Sequence, residues 1–239
     1  VVPYVSTLWR DRRTSADRLV DLIEGVVQTE PGNYLVCFPS YQYLADIHQR
    51  YVQRNPTEHV LRQCSDDDQR QQQNFIDAFE NASRAVTGFA VLGGRFSEGI
   101  DLVGRRLIGV IVVGVGMPKI GPERDLIREY FDDEGMDGFR MAYQYPGLNR
   151  VLQGAGRVIR SEQDIGIICL VDGRFARPDY TTLLPREWQK ITCQDQETLI
   201  REVTRFWKNV TSDDAGDGGH RGSVDECVHV DEDVYVGGD

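Results

Sequence analysis

Hydrophobic residues along this chain fall into two alternating patterns. Near-continuous apolar runs appear at 33–38 ("NYLVCF"), 84–94 ("RAVTGFAVLGG"), 105–114 ("RRLIGVIVVG") and 164–172 ("DIGIICLVD"). Runs of this length and β-branched content predict strands buried on both faces, as in a parallel sheet. Between them, the stretches 15–29, 41–53, 66–81, 122–131 and 148–160 carry apolar positions at helical spacing. Alternation of this kind predicts an α/β fold, a three-layer sandwich with a mostly parallel sheet and crossover helices. Ligands of such sheets gather at the carboxyl ends of the strands. Three loops therefore draw attention: from Pro39 onward, from Gly93 onward, and the turn entering Leu148.

The stretch 148–160 poses a problem of its own. At 100° per residue, Val151, Leu152, Ala155, Val158 and Ile159 share one arc, and Arg150, Gln153, Arg157 and Arg160 occupy the other. A solvated helix face normally mixes carboxylates into such a row for i,i+4 pairing, yet none occurs before Glu162. Gly154 and Gly156 would each cost a helix interior up to about 1 kcal/mol relative to alanine. Together these features predict that something approaches the backbone closely, and that the arginines meet phosphate oxygens, which the guanidinium fork fits bidentately. The plain alternative is a solvated charged face.

Charge and composition narrow the class. The formal net charge is -11, but residues 211–239 hold nine acidic residues against Arg221 alone. The rest of the chain is thus close to neutral, and local basic clusters remain able to bind phosphate. Gly, Asp and Ser dominate the segment 211–239, a composition that predicts a disordered acidic tail behind one folded domain at 1–210. Its His220, Cys227 and His229 match no standard metal spacing. The five cysteines are odd in number and form no CxxC pair, so reduced thiols and no metal are predicted. No apolar run approaches the roughly 20 residues of a membrane span. The first residues lack the charged-then-apolar order of a signal peptide, and a cytoplasmic location is the resulting expectation.

Three stretches bear a family resemblance. "QGAGRVIRSEQDIG" (153–166) resembles motif VI of superfamily-two helicases in the Q-x-x-G-R-x-x-R form of the XPD/DinG branch. "GGRFSEGIDLVGRRLIGVIVVGVGMP" (93–118) is similar to that branch's motif V, and "GNYLVCFPSYQYL" (32–44) to its motif IV. They stand in the family's order, and "VSTLWRDRR" and "LLPREWQ" extend the likeness over most of residues 1–208. The resemblance implies the second RecA-like domain of an ATP-dependent DNA helicase. It implies further that Arg157 and Arg160 act as arginine fingers and that Gln153, Gly99 and Asp101 serve ATP. Ser40, Tyr41, Ser97 and Glu98 would then line single-stranded DNA. Ser40 is equally suited to cap the helix that begins at Tyr41, Asp101 to end a turn, and Phe38 and Phe96 to fill a core.

A complete helicase of this kind needs a G-x-x-x-x-G-K-[ST] phosphate loop and an acidic pair for Mg²⁺ at the end of a strand; the loop occurs nowhere in the 239 residues, and none of the four predicted strands ends in such a pair. By the resemblance, ATP and Mg²⁺ are held chiefly by an amino-terminal helicase half, in cis or in trans, which also carries the iron–sulfur cluster. The isolated chain is accordingly predicted to be inactive as an ATPase. A catalytically inactive nucleic-acid-binding or regulatory module is the alternative. A dinucleotide-binding reading of "VVGVGMPKIG" fails, because Lys119 stands where a third glycine is required.

Overall fold

The computed structural model describes residues 1–81, 83–93, 106–158 and 164–216, the last four by backbone alone. Five parallel strands, β1 (Tyr34–Phe38), β2 (His59–Arg62), β3 (Val86–Val91), β4 (Gly109–Val113) and β5 (Ile167–Val171), form one sheet in the order β2-β3-β1-β4-β5. Helices α1 (Arg12–Val27), α2 (Tyr41–Arg54), α3 (Gln69–Glu80), α4 (Pro122–Asp133), α5 (Tyr145–Ala155), α6 (Pro178–Thr181) and α7 (Gln196–Gly216) complete the described elements of that type.

Side-chain alternation splits the core into two layers. Tyr34, Val36 and Phe38 of β1, with Ile111 and Val113 of β4, meet α1, α2 and α7 on one face. Leu35 and Cys37, with Val110 and Val112, meet α3 and α5 on the other. Strands covered on both sides carry no polar face, which is why β1 and β4 read as unbroken apolar runs. The three-layer sandwich thus stands as the sequence pattern predicts.

Three boundaries differ from the sequence reading, each for a physical reason. Helix α5 ends at Ala155, with Gly156 as its C-cap at φ -65°, ψ 2°. Gly156 therefore closes the helix instead of interrupting it, and Arg157 stands beyond the helix end instead of on its polar face. Gly154 does lie within the helix, facing the sheet: a Cβ there would meet Leu92 Cδ2 at 3.2 Å and Cys37 Sγ at 3.8 Å. The close approach it permits is thus to this domain's own strands. At the other end, α5 is preceded by a π-helical turn, Arg140–Gln144, which frees the helix from the carbonyl clash Pro146 would otherwise impose. Finally, α7 runs through Gly216, so the first residues of the segment expected to be disordered from 211 are helical. Residues 217–239 lie outside the described residues.

Candidate nucleotide and nucleic-acid surfaces

The carboxyl ends of the strands are built from short, tightly held turns. After β1, Pro39 leads to Ser40, whose extended backbone and side chain cap α2; its Oγ accepts the Tyr43 N–H at 3.4 Å. Tyr41, next in line, is partly exposed, and its hydroxyl accepts a hydrogen bond from Gln63 Nε2 at 3.3 Å. Gln63 is itself buried; its amide oxygen takes the Val91 N–H at 2.9 Å. Gln63 thereby fixes Tyr41 to the exit of β3. Burial raises the Tyr41 pKa, with Asp67 and Cys64 adding to the shift, so this side chain is a neutral donor and acceptor.

After β4 the chain turns sharply at Gly116, whose φ of 64° lies in the left-handed region that glycine tolerates. A Cβ on Gly116 would stand 2.7 Å from Gly147 O, and one on Gly147 would stand 2.7 Å from Val115 O. The turn and the first part of α5 thus interlock backbone to backbone. Arg150 crosses the same junction, reaching Gly116 O with Nη1 at 3.5 Å and packing its aliphatic stem over Gly93. Gln153, in the last turn of α5, is exposed. Arg157 is half-buried on the turn that follows, between the C-cap and Val158, which packs into the second core layer against Gly166.

After β5, the buried carboxylate of Asp172 accepts Arg174 Nε and Nη2, each at 2.8 Å, and the Arg174 N–H at 2.8 Å, while Thr7 Oγ1 donates to Oδ2. Burial would raise the Asp172 pKa, but the hydrogen bonds and charge of Arg174, with Thr7, outweigh it and hold the group below the ordinary carboxylate range. Arg12 donates from Nε to Thr7 O at 3.2 Å. This cluster ties the segment before α1 to the end of β5.

Of the residues singled out from sequence, Ser40 and Tyr41 open α2 on one face of the sheet, while Gln153 and Arg157 close α5 on the other. Arg160, Ser97, Glu98, Gly99 and Asp101 lie outside the described residues. Gln63, Thr7, Asp172 and Arg174 were missed. The aspartate that ends the run "IICLVD" was the readable signal for the last two; a lone glutamine at the end of a short polar strand offers none.

Cofactor chemistry divides along similar lines. Gln153 and Arg157 offer an amide and a cation, a donor set suited to one side of a nucleotide's phosphates. Cys37 and Cys169 do not suit an iron–sulfur cluster: burial pushes the Cys37 thiol up to about 12 and Cys169 up to about 11, and the two sit in opposite core layers. Among the described residues no group of three or more His, Cys, Asp or Glu is arranged to hold a metal ion. No described helix is long and apolar enough to cross a membrane.

The all-parallel sheet, its strand order and the helices on both faces define a RecA-like α/β domain. An apo structure of XPD superposes with a TM-score of 0.62 at 21% identity, covering 80% of this chain and 39% of that one. The C-terminal domain of the DEAD-box protein Dbp5 does so with a TM-score of 0.50 at 13% identity, covering 85% and 94%. Residues 23–191 match the family described as the helicase C-terminal domain, and the chain belongs to that family. A probable ATP-dependent helicase of Methanocaldococcus jannaschii is 29% identical over 70% of this chain and 27% of its own length. The regulator of telomere elongation helicase 1 of Mus musculus is 30% identical over 83% and 18%. The chain thus spans between a fifth and a third of the first of these relatives and less than a fifth of the second.

Proposed function

We propose that this chain is the carboxy-terminal motor domain of an ATP-dependent DNA helicase, working against an amino-terminal half that holds ATP and Mg²⁺. The observation that carries the reading is the placement of Gln153 and Arg157 on either side of the C-cap of α5, in a sequence with no phosphate loop of its own. ATP, when bound, supplies the phosphoanhydride whose cleavage powers movement along the strand. Gln153 orients the phosphates, with Gly99 and Asp101 beside the nucleotide. Arg157 and Arg160 neutralise the charge that gathers on the departing γ-phosphoryl group. Ser40 and Tyr41, with Ser97 and Glu98, line the path of single-stranded DNA. The iron–sulfur cluster of such enzymes belongs to the amino-terminal half.

The test is steady-state ATPase of the chain joined to that half. Arg157→Lys keeps the charge and loses the planar fork. Turnover should fall by about tenfold or more, toward the roughly 10³-fold effect of losing an arginine finger, with nucleotide-free DNA affinity unchanged. The isolated chain should hydrolyse ATP no faster than background. Near-normal turnover in both Arg157→Lys and Arg160→Lys would overturn the arginine roles. ATPase by the isolated chain, abolished by Arg157→Ala, would overturn the half-motor reading.

A further inference from the structure

The segment before α1 ends in a tryptophan that the fold leaves in solvent. Trp9 opens the short 3₁₀ turn Trp9–Asp11 and is 78% exposed. Tryptophan is enriched at interfaces, where its ring offers a large apolar face with a polar edge. This one is held in place: the Arg12 guanidinium carbon lies 5.3 Å from the Trp9 ring centroid and 4.3 Å from that of Tyr43. Tyr43 is buried in turn, edge-on to Phe38 at 5.4 Å. A core aromatic, a cation and a surface aromatic thus form one layered stack.

The stack forms one end of an open groove of about 700 Å³ between α1 and α2, lined by Trp9, Arg12, Arg13, Gln42, Tyr43 and Asp46 among others. Charge is uneven along it. At the far end, Arg50 pairs with Asp17 at 2.9 Å, and Arg54 with Asp21 at 2.6 Å and Glu24 at 2.9 Å. Near Trp9, Arg12 is committed to two rings and a carbonyl, with no carboxylate, and Arg13 is exposed. Asp11 receives Ser6 Oγ at 2.6 Å and lies 3.6 Å from Arg10. The amino end of α1 adds the positive end of its dipole at the same place. An exposed aromatic face beside Arg12 and Arg13, with the lining carboxylate Asp46 accepting from Gln42 at 3.2 Å, fits a chain of stacked bases and phosphates, which carries both π-faces and regular negative charge. Gln42 and Tyr43 stand in the same first turn of α2 that Ser40 caps and Tyr41 opens, so the groove begins beside the residues already assigned to a single strand.

We infer that the α1–α2 groove is a nucleic-acid contact of this domain, in which Trp9 stacks on an unpaired base and Arg12 and Arg13 take the flanking phosphates. The inference rests on the strand-binding role of Ser40 and Tyr41 proposed above, and extends the strand's path past them to the start of α1.

The test uses the 239-residue chain and a fluorescein-labelled 20-nucleotide oligothymidylate. Anisotropy gives affinity as a function of salt; tryptophan emission, read with an unlabelled oligonucleotide, reports stacking. Binding should quench emission in the parent chain, and most of that quenching should vanish in Trp9→Phe. Trp9→Ala should weaken binding about tenfold, with Trp9→Phe recovering part of the loss. Arg13→Ala should lower the slope of log affinity against log salt by about 1. Thermal midpoints of all three should match the parent, since these side chains are exposed. Should Trp9→Ala fold poorly, Trp9→Phe quenching and the Arg13→Ala slope decide the matter alone. Parent-like affinity and quenching in the Trp9 variants, with binding still weakened by Ser40→Ala and Tyr41→Ala, would overturn the groove and leave the proposed function standing. Absence of oligonucleotide binding by the parent chain would overturn the strand-binding reading and the groove with it.

Discussion

Gly116 and Gly147 show how a single hydrogen in place of a methyl group positions an entire helix. Each would place a Cβ 2.7 Å from a backbone carbonyl oxygen of the other's segment, and backbone cannot swing aside as a side-chain tip can. Gly116→Ala also forces alanine into a φ of 64°. Either substitution should destabilise the fold by about 1–3 kcal/mol. The double variant should lose less than the sum of the two, because one opened junction relieves both clashes. Gly154→Ala is the contrasting case. Its added methyl meets the movable end of Leu92 at 3.2 Å, and the gain in helix propensity of about 1 kcal/mol offsets the squeeze. Urea unfolding of the four variants checks the ranking; a Gly154→Ala variant as unstable as Gly147→Ala would contradict it.

Elements differ in how openly the sequence announces them. Strands β1, β3, β4 and β5 were legible because burial on two faces leaves an unbroken apolar run, whereas β2 (His59–Arg62) lies at the sheet edge, half-buried, and shows no such run. The end of α5 was misread because a 100° step fits Val158 as well as Val151, and nothing in periodicity marks Gly156 as a cap. α7 is not among the helical stretches expected from sequence, although Leu199, Val203 and Trp207 stand four apart and are buried, a stripe at helical spacing, and acidic composition after residue 210 pointed instead to disorder. Of the candidate site, the positions of Ser40 and Gln153 on α2 and α5 were legible, while the Asp172 junction was legible only as the local Asp172–Arg174 pair, since Thr7 joins it from the opposite end of the chain. That junction sets a pH dependence. Because Asp172 is held below its unfolded pKa, its contribution is fully present above the usual carboxylate range and is lost as pH falls through the folded value. Urea midpoints should therefore drop on acidification below about pH 4. Asp172→Asn should cost about 3–5 kcal/mol at neutral pH, by stranding the largely buried Arg174. It should also flatten the acid limb; an Asp172→Asn variant with parent-like stability at pH 7 would show the junction to be idle.

Across the whole molecule, charge is distributed very unequally. Residues 217–239 contain seven acidic residues and Arg221, which accounts for -6 of the net -11. Truncation after Gly216 should strengthen single-stranded DNA binding at low salt, and the gain should fade as salt shortens the Debye length, about 10 Å at 0.1 M. Anisotropy titrations at two ionic strengths test this, and an equal gain at both would assign the effect to something other than charge. The sheet itself has two flanks where backbone groups face outward. At β2 the strand is only four residues long and carries His59 and Arg62. At β5, Val2 forms a parallel bridge to Val171 and donates its N–H to Leu170 O at 2.8 Å, while the Cys193 N–H reaches Val1 O at 2.9 Å. Exposed edges of β-sheets recruit further strands and seed self-association. A two-residue seal at one flank and a truncated, charged strand at the other make this domain a poor template for growth into fibres, a protection that resides in its least conspicuous residues.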